Sequence, residues 1–261
     1  MMRKSFLNRQ STAISLLYKP VSAAVAIGGA RSAECDGADG IALELSRIPQ
    51  EERTLETFKG IINSVQLPFM FIDYRDDVIH GADDEARQKD LLLAADAGAE
   101  VIDVMGDLYD PSPRELTRSP AAIARQKELI EEIHRKGAKV LMSSHAPLEF
   151  LTAEEVLAQL QEQASRGADI LKIVVRTETQ EEMLEAVRTM MLLHERLEKP
   201  FVFLGSGKFG RFVRYTGLQL GVAIEFAVHD YVMDPYYHQP TIGSFKAVRD
   251  NFQWHLANLP R

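Results

Sequence analysis

Short apolar runs alternate with longer amphipathic stretches along most of the chain. Each run is six to eight residues long, contains β-branched or aromatic residues, and is bounded by glycine, proline or charged residues. These features are typical of strands buried in a parallel sheet. Eight strands are therefore predicted, at residues 21–28, 40–45, 68–74, 101–106, 139–145, 170–175, 201–206 and 222–228.

The amphipathic stretches carry the signals of helix ends. Ser119 followed by Pro120 suits an N-cap and a first helical turn, and Thr152 begins a Thr-Ala-Glu-Glu capping box. Glycine-alanine pairs precede several predicted strands, where a glycine satisfies the last carbonyls of the preceding helix. The predicted helices cover residues 83–97, 119–136, 152–165, 179–197 and 244–256.

Eight strands that alternate with helices predict a single (β/α)8 barrel of the TIM type, with an open, doubly wound sheet as the alternative. Only eleven residues, 29–39, separate the first two predicted strands, so we expect a shortened first crossover. The basic start of the chain is interrupted by polar residues before any long apolar run, which argues against a signal peptide. We therefore predict an N-terminal arm over residues 1–18 and a barrel catalytic domain over residues 19–261.

The composition is that of a globular protein. The chain has 261 residues, of which 46% are hydrophobic and 26% charged, and its formal net charge of −8 makes it a poor generic binder of nucleic acid. The one cysteine, Cys35, excludes an internal disulfide and a multi-cysteine metal site, and it suits a reducing compartment. No apolar run approaches the roughly 18 residues of a membrane span. We expect a cytoplasmic protein that contacts neither nucleic acid nor membrane.

Lys172 is the most informative residue, because the active site of such a barrel lies at the carboxyl ends of the strands. It sits in the otherwise apolar run Asp-Ile-Leu-Lys-Ile-Val-Val. A buried ammonium is costly, so this lysine must face a cavity or an anion, and burial lowers its pKa. A neutral amine can attack a carbonyl and form a Schiff base. The alternative is a structural lysine paired with Glu44 or Asp103.

His145 ends the neighbouring strand, where it could exchange protons with an imine-forming lysine or merely cap the strand. Arg75 and Arg214 follow the third and seventh strands, and two guanidinium groups there would bind a carboxylate or several hydroxyl groups. The segment 206–211 lacks the spacing of a P-loop, so it is a weak nucleotide motif. Other polar residues near the strand ends are Ser46, Arg47, Asp73, Tyr74, Asp107, Ser143, Ser144, Ser206, Lys208, His229, Tyr236, Tyr237 and His238.

Three motifs resemble those of the type I 3-dehydroquinate dehydratase (type I 3-dehydroquinase) family, eight-stranded barrel enzymes of the shikimate pathway. Residues 140–145, Val-Leu-Met-Ser-Ser-His, resemble the family's Met-Ser-x-His motif, and residues 169–175 resemble its lysine motif. Residues 207–214, Gly-Lys-Phe-Gly-Arg-Phe-Val-Arg, resemble its Gly-x-x-Gly-x-x-Ser-Arg segment, with valine for the serine. The resemblance covers roughly residues 20–255, and the 27-residue interval between His145 and Lys172 is similar to the family's.

The resemblance implies conversion of 3-dehydroquinate to 3-dehydroshikimate without a metal or organic cofactor. Lys172 would form an imine with the ketone of this small keto acid, and His145 would act as general acid and base. Arg214 would bind the substrate carboxylate. The other substrate contacts that the resemblance implies are Glu44, Arg75 and Gln239.

Several positions depart from the family's pattern. Ser46 stands where the second-strand Glu-x-Arg motif has its arginine, and Arg47 comes one place late, on the other face of a strand. Ile79 replaces a glutamate, and Met105 replaces a second acidic residue of the fourth strand. The loop 236–242 has no unambiguous counterpart of the family's Ser-x-Pro-Gly-Gln-like run. The substrate is therefore either 3-dehydroquinate in a rebuilt pocket or a different keto acid.

Two other functions remain compatible with the sequence. One is a metal-dependent barrel enzyme such as a sugar isomerase or epimerase, which leaves Lys172 without a role. Its candidate ligands are Glu44, Asp73, Asp103 and His145. The other is a catalytically silent relative that binds an acidic metabolite or a protein partner. A homodimer is expected only from the prevalence of two-fold dimers, and the aromatic segment 231–237 would either meet a partner or pack outside the barrel.

Overall fold

The structure is a computed structural model that describes residues 4–7, 11–230, 239–252 and 256. Within these residues, eight parallel strands alternate with eight α-helices. The strands are β1 (Ala13–Tyr18), β2 (Gly40–Glu44), β3 (Phe69–Ile72), β4 (Val101–Met105), β5 (Lys139–Ala146), β6 (Ile170–Arg176), β7 (Phe201–Ser206) and β8 (Ile224–Ala227). The helices are α1 (Ala23–Cys35), α2 (Leu55–Ile62), α3 (Asp84–Asp96), α4 (Pro120–Arg135), α5 (Ala153–Ser165), α6 (Gln180–Arg196), α7 (Gly210–Gly217) and α8 (Ile242–Asn251).

The strands form a nearly closed barrel, which confirms the predicted fold class. The hydrogen-bonded order is β7-β6-β5-β4-β3-β2-β1-β8, and each strand is parallel to its neighbours. The N–H of Ala223, just before β8, donates to the carbonyl of Phe201 at 2.8 Å and so links the two ends of the sheet. All strand carboxyl ends therefore open at one mouth, where a barrel of this type carries its active site.

The core has two layers, because alternate residues of each strand face the barrel lumen and the surrounding helices. One cluster of buried apolar side chains lies between the strands and the helices, and a smaller one fills the lumen. Ile170 and Val174 of β6 belong to the lumen cluster, so Lys172 between them also faces the lumen. Phe6 is buried in the same cluster, and its ring lies against Gly40, where a Cβ atom would overlap it.

The predicted first strand is wrong. Residues 21–28 begin the 13-residue helix α1, whose N-cap Ser22 accepts from the N–H of Val25. Ala26, Ala30 and Ala33 form its buried face, at the spacing of three to four residues that marks a helix. Residues 23–30 are rich in alanine, the best helix former. The run was predicted as a strand because it is as apolar as a buried strand.

The correction moves the first strand back into the predicted arm. Residues 13–18, assigned to that arm from the sequence, form β1 and pair with both β2 and β8. The first crossover therefore spans residues 19–39 and contains a full helix, so the expected shortening is also wrong. The other seven predicted strands are confirmed to within a few residues.

The helices show smaller differences from prediction. Five predicted helices are present, although α8 ends at Asn251 rather than at residue 256. Helices α2 and α7 were not predicted from the sequence. Each is only eight residues long, and α7 begins and ends with a glycine. No helix in the described part of the chain is long and apolar enough to cross a membrane.

Phe6→Ala should destabilise the protein by about 3–5 kcal/mol, because it removes a buried ring from the lumen and leaves a cavity. The matched control is Phe252→Ala, since Phe252 is 54% exposed and its truncation should change the unfolding free energy little. Urea unfolding followed by circular dichroism measures both values. Equal effects of the two substitutions would contradict the packing of Phe6 in the lumen.

Candidate active site

The carboxyl ends of the strands surround a cavity of about 430 Å³. Its wall is apolar over much of its area, and a small number of charged and polar side chains converge on it. The lining residues are Leu17, Lys19, Glu44, Ile72, Tyr74, Arg75, Asp76, Met105, Glu115, His145, Lys172, Val174, Leu204, Arg214, Phe226 and Gln239. All six site residues predicted from the sequence are among them. An apolar cavity with a few convergent polar groups is typical of a small-molecule site.

Lys172 projects from β6 into this cavity, and its side chain is only 5% exposed. Its Nζ donates to the hydroxyl of Tyr74 at 2.6 Å and lies 3.2 Å from Nε2 of His145. The nearest carboxylate oxygen, Oδ2 of Asp103, is 3.8 Å away. Burial lowers the pKa of the lysine, although the charge of Asp103 opposes this effect. The amine is therefore biased toward its neutral, nucleophilic form.

His145 is held from the side opposite Lys172 by a carboxylate. Its Nδ1 lies 2.6 Å from Oε2 of Glu115, which sits in a single helical turn after β4 with φ of 47°. Burial raises the pKa of Glu115, but the hydrogen bond and charge of His145 outweigh it and lower that pKa below its usual value. An ionised carboxylate on Nδ1 fixes the ring tautomer and leaves Nε2 to exchange a proton in the cavity.

Asp103 lies beneath the lysine and is bound by hydroxyl groups. Tyr74 donates to its Oδ2 at 3.0 Å, and Ser143 donates to its Oδ1 at 2.6 Å. Burial raises the pKa of Asp103, and the charge of Lys172 only partly offsets this. The ring of Tyr74 also stands edge-on to that of His145, with centroids 5.1 Å apart. Tyr74 thus contacts three polar groups of the site.

Glu44 faces the cavity but is paired with a lysine that the sequence analysis did not single out. Its Oε1 lies 2.5 Å from Nζ of Lys19 and accepts from the hydroxyl of Ser46 at 3.1 Å. Lys19 follows β1 and also binds Asp76 at 2.6 Å. Arg47 is exposed and does not line the cavity, as expected for a residue one place out of register.

The two predicted arginines have different environments. Arg75 is bound by Asp107 at 2.9 Å and by Asp84 at 3.3 Å, so most of the N–H donors of its guanidinium group are already used. Arg214 of α7 is fully buried; its Nε donates to the carbonyl of Gly205 at 3.2 Å. Among the described residues, its Nη1 has no hydrogen-bond partner. Burial lowers the pKa of Arg214 to about 10, so it stays cationic at neutral pH, ready for an anion.

Gln239 lines the cavity, and its Oε1 has no hydrogen-bond partner among the described residues. The neighbouring candidates Tyr236, Tyr237 and His238, the rest of the loop before Gln239, and the aromatic segment 231–237 lie outside the described residues. His229 binds Asp36 and the carbonyl of Gly29 and does not line the cavity. In the part of the chain that the structure describes, no group of three or more His, Cys, Asp or Glu side chains could hold a metal ion.

Three contributors to the site were missed or undervalued from the sequence. Lys19 lay at the predicted boundary between the N-terminal arm and the barrel, and Tyr74 was one of many polar residues at a strand end. Glu115 lies in a loop whose left-handed backbone has no periodic signal. Only its position within reach of His145 identifies it.

Asp73 follows β3 but points away from the cavity, toward Arg53. Nη1 of Arg53 lies 3.6 Å from its Oδ2, and the carboxyl group of Asp77 is a close neighbour. Burial, together with the charge of Asp77, raises the pKa of Asp73 to about 9. The folded protein therefore holds a proton at Asp73 that the unfolded chain releases above about pH 4. This difference makes folding less favourable as the pH rises from 4 to 9.

Asp73→Asn should stabilise the protein at pH 8 and change its stability little at pH 4, because asparagine carries no charge to lose. The expected gain at pH 8 is on the order of 2 kcal/mol. Unfolding free energies measured from pH 4 to 9 test this, with Asp250→Asn as the control because Asp250 is 54% exposed. An identical pH dependence in wild type and Asp73→Asn would show that the carboxyl is ionised in the folded protein.

Comparison with known proteins identifies relatives of this chain. The profile of the type I 3-dehydroquinase family matches residues 30–249. The 3-dehydroquinate dehydratase of Alkaliphilus oremlandii is 32% identical over 102 residues, which are 39% of this chain and 40% of that protein. The 3-dehydroquinate dehydratase of Klebsiella pneumoniae is 26% identical over 185 residues, 70% of this chain and 68% of that protein. The chain thus spans about 40% of the length of the first of these relatives.

Solved structures show the same fold. The type I 3-dehydroquinate dehydratase of Clostridium difficile has a TM-score of 0.79 at 17% identity, and the match covers 96% of both chains. The 3-dehydroquinate dehydratase of Geobacillus kaustophilus has a TM-score of 0.76 at 18% identity and covers 94% of this chain and 92% of that one. At these identities the likeness establishes the barrel architecture alone.

Proposed function

The chain belongs to the type I 3-dehydroquinase family, and from that premise we propose that it is a hydro-lyase that dehydrates 3-dehydroquinate through a Schiff base. The observation that carries the proposal is the pairing of Lys172 Nζ with His145 Nε2, 3.2 Å apart in one cavity. The alternatives of a metal-dependent isomerase and a silent binding protein leave this pair without a role. The proposed product is 3-dehydroshikimate, which places the enzyme in the shikimate pathway.

In the proposed reaction, the neutral amine of Lys172 attacks the substrate ketone and forms a C–N bond. Loss of water then gives an iminium ion, which draws electrons from the neighbouring carbon and acidifies its proton. Nε2 of His145 removes that proton, and the electron pair forms an enamine. The enamine expels the β-hydroxyl as His145 returns the proton to it, so that water leaves. Hydrolysis of the conjugated iminium releases the enone product and regenerates the amine.

Arg214 is proposed to bind the substrate carboxylate, since it lines the cavity and its buried Nη1 has no hydrogen-bond partner within the part of the chain that the structure describes. Gln239 is proposed to donate to the substrate through its amide. Glu44 and Arg75 are proposed to contact the hydroxyl groups of the ring. Lys19 belongs to the same wall, because its ammonium bridges Glu44 and Asp76 beside the cavity.

Borohydride treatment in the presence of 3-dehydroquinate should trap a covalent adduct on the wild-type protein and none on Lys172→Ala. Intact-mass measurement detects the adduct, and peptide mapping assigns it to Lys172. Turnover, followed by absorbance of the enone, should fall by about 10⁴-fold or more with the nucleophile removed. Lys59→Ala is the control, because Lys59 is an exposed lysine far from the cavity.

The outcomes of this experiment separate the possibilities. An adduct only with other small keto acids would keep the imine chemistry and replace the substrate. Absence of an adduct with every carbonyl compound would overturn the proposal.

Glu115→Gln should lower kcat by about 100-fold with little change in KM, because the neutral amide no longer stabilises a protonated His145. Steady-state kinetics with 3-dehydroquinate measure both constants. Glu149→Gln is a suitable control, since Glu149 pairs with Arg114 in a neighbouring loop and does not touch His145. A kcat unchanged in Glu115→Gln would remove Glu115 from the proposed mechanism.

We also propose a cytoplasmic homodimer. Two-fold dimers are the commonest oligomers, and an exposed free thiol such as Cys35 suits a reducing compartment. Sedimentation equilibrium should give twice the chain mass of 29.3 kDa.

A further inference from the structure

The hydroxyl group of Tyr74 connects the candidate nucleophile, Lys172, to the buried carboxylate of Asp103. Nζ of Lys172 donates to its Oη at 2.6 Å, and the same hydroxyl donates to Oδ2 of Asp103 at 3.0 Å. Lys172 and Asp103 themselves are 3.8 Å apart, which is too long for a direct hydrogen bond. Among the described residues, the hydrogen bonds that join the amine to that carboxylate therefore run through Tyr74.

We propose that the Tyr74 hydroxyl relays a proton from Lys172 to Asp103, and so delivers the amine to the substrate in its neutral form. The inference rests on the proposed imine chemistry. The ammonium gives one proton to Tyr74 Oη as the Tyr74 hydroxyl proton moves to Oδ2 of Asp103. Tyr74 is neutral before and after, and an ammonium–carboxylate pair becomes an amine–carboxylic acid pair. When the amine is released after hydrolysis, the same path returns the proton.

A separate acceptor is needed because His145 has another task. Its Nε2 also lies within reach of Lys172, but in the proposed reaction it must take the proton of the substrate carbon. If His145 already held the lysine proton, it could not act as the base. A relay to Asp103 removes this conflict, because the lysine proton then does not go to His145.

The surroundings favour the neutral pair. Burial lowers the pKa of Lys172 and raises that of Asp103, so both shifts oppose the charged pair. Burial also raises the pKa of Tyr74 well above its usual value, so the phenol transfers protons without resting as an anion. The charged and titratable groups that face the amine are Asp103 from β4, Glu115 from the following loop, His145 from β5, Glu44 from β2 and Arg214 from α7.

The test is the pH profile of imine formation in Tyr74→Phe, which keeps the ring and removes only the hydroxyl. Protein and 3-dehydroquinate are mixed at pH values from 6 to 9, and the reaction is quenched with borohydride at timed intervals. The fraction of protein that carries the adduct is then measured by intact-mass spectrometry. At pH 7 the variant should form the adduct about 10- to 100-fold more slowly than wild type. Its rate should recover toward the wild-type rate by pH 9, where solvent hydroxide removes the lysine proton.

Three further variants keep the test decisive. Asp103→Asn removes the proton acceptor and should give the same shifted profile, and the double variant should be no slower than the slower single variant. Tyr18→Phe is the matched control, because it deletes another partly buried hydroxyl, one that donates to the carbonyl of Ala26 and not to Lys172. Its pH profile should equal that of wild type.

The other outcomes overturn the relay. A Tyr74→Phe profile equal to wild type would show that the hydroxyl carries no proton. A loss of the same factor at every pH would assign Tyr74 a packing role instead. Absence of any adduct in the wild type would overturn the proposed function, and the relay with it.

Discussion

The cavity is organised by the cost of placing a lysine amine inside the barrel. Alternation along β6 directs Lys172 into the lumen between Ile170 and Val174, where its Nζ lies 5.2 Å from the ring centroid of Tyr74 and 5.5 Å from that of Phe226. Even after relaxation, an isolated buried ion costs several kcal/mol, so the amine must share its proton or lose it. Tyr74 and His145 lie within hydrogen-bonding distance of Nζ, and the carboxylate of Asp103 is connected to it through the Tyr74 hydroxyl. The same burial that costs stability also makes the amine nucleophilic.

Most other charged groups around the mouth of the barrel form ion pairs or hydrogen-bonded pairs. This pairing determines which groups remain available to bind a ligand or exchange a proton. Glu44 is bound by Lys19, Glu115 by His145, and Asp107 by Arg75. Asp103 is the exception, because its hydrogen bonds come from neutral hydroxyl groups. Arg214 is the complementary exception, since its Nη1 lacks a partner among the described residues. Asp103 can thus accept a proton, and Arg214, which interacts electrostatically with the buried carboxyl group of Glu225, still has an N–H that can bind an anion.

The periodic parts of the molecule could be predicted from the sequence, whereas contacts between distant loops could not. Seven strands, the barrel and the candidate residues from β5 and β6 follow from short apolar runs interrupted by one lysine and ended by one histidine. The first strand was misplaced because an alanine-rich helix is as apolar as a strand over eight residues. Glu115 reaches His145 across 30 residues, through a turn with positive φ that no local pattern specifies. Secondary-structure propensity reports on residues that are close in the chain, whereas the site consists of residues that are distant in the chain and close in space.

Near two positions that depart from the family's pattern, the charged partners of the site come from other loops. Ile79 carries no carboxylate, and the carboxylate that binds His145 is that of Glu115, from the loop after β4. Ser46 carries no cation, and the cation that binds Glu44 is that of Lys19, from the loop after β1. Such contacts between loops are possible because all strand ends of a barrel converge on one mouth. The replacement changes the wall, however: a lysine is a compact, flexible charge, whereas an arginine presents a fixed fork of donors. Hydrogen bonding by this wall is therefore less directional, while the motif residues His145 on β5 and Lys172 on β6 are both present.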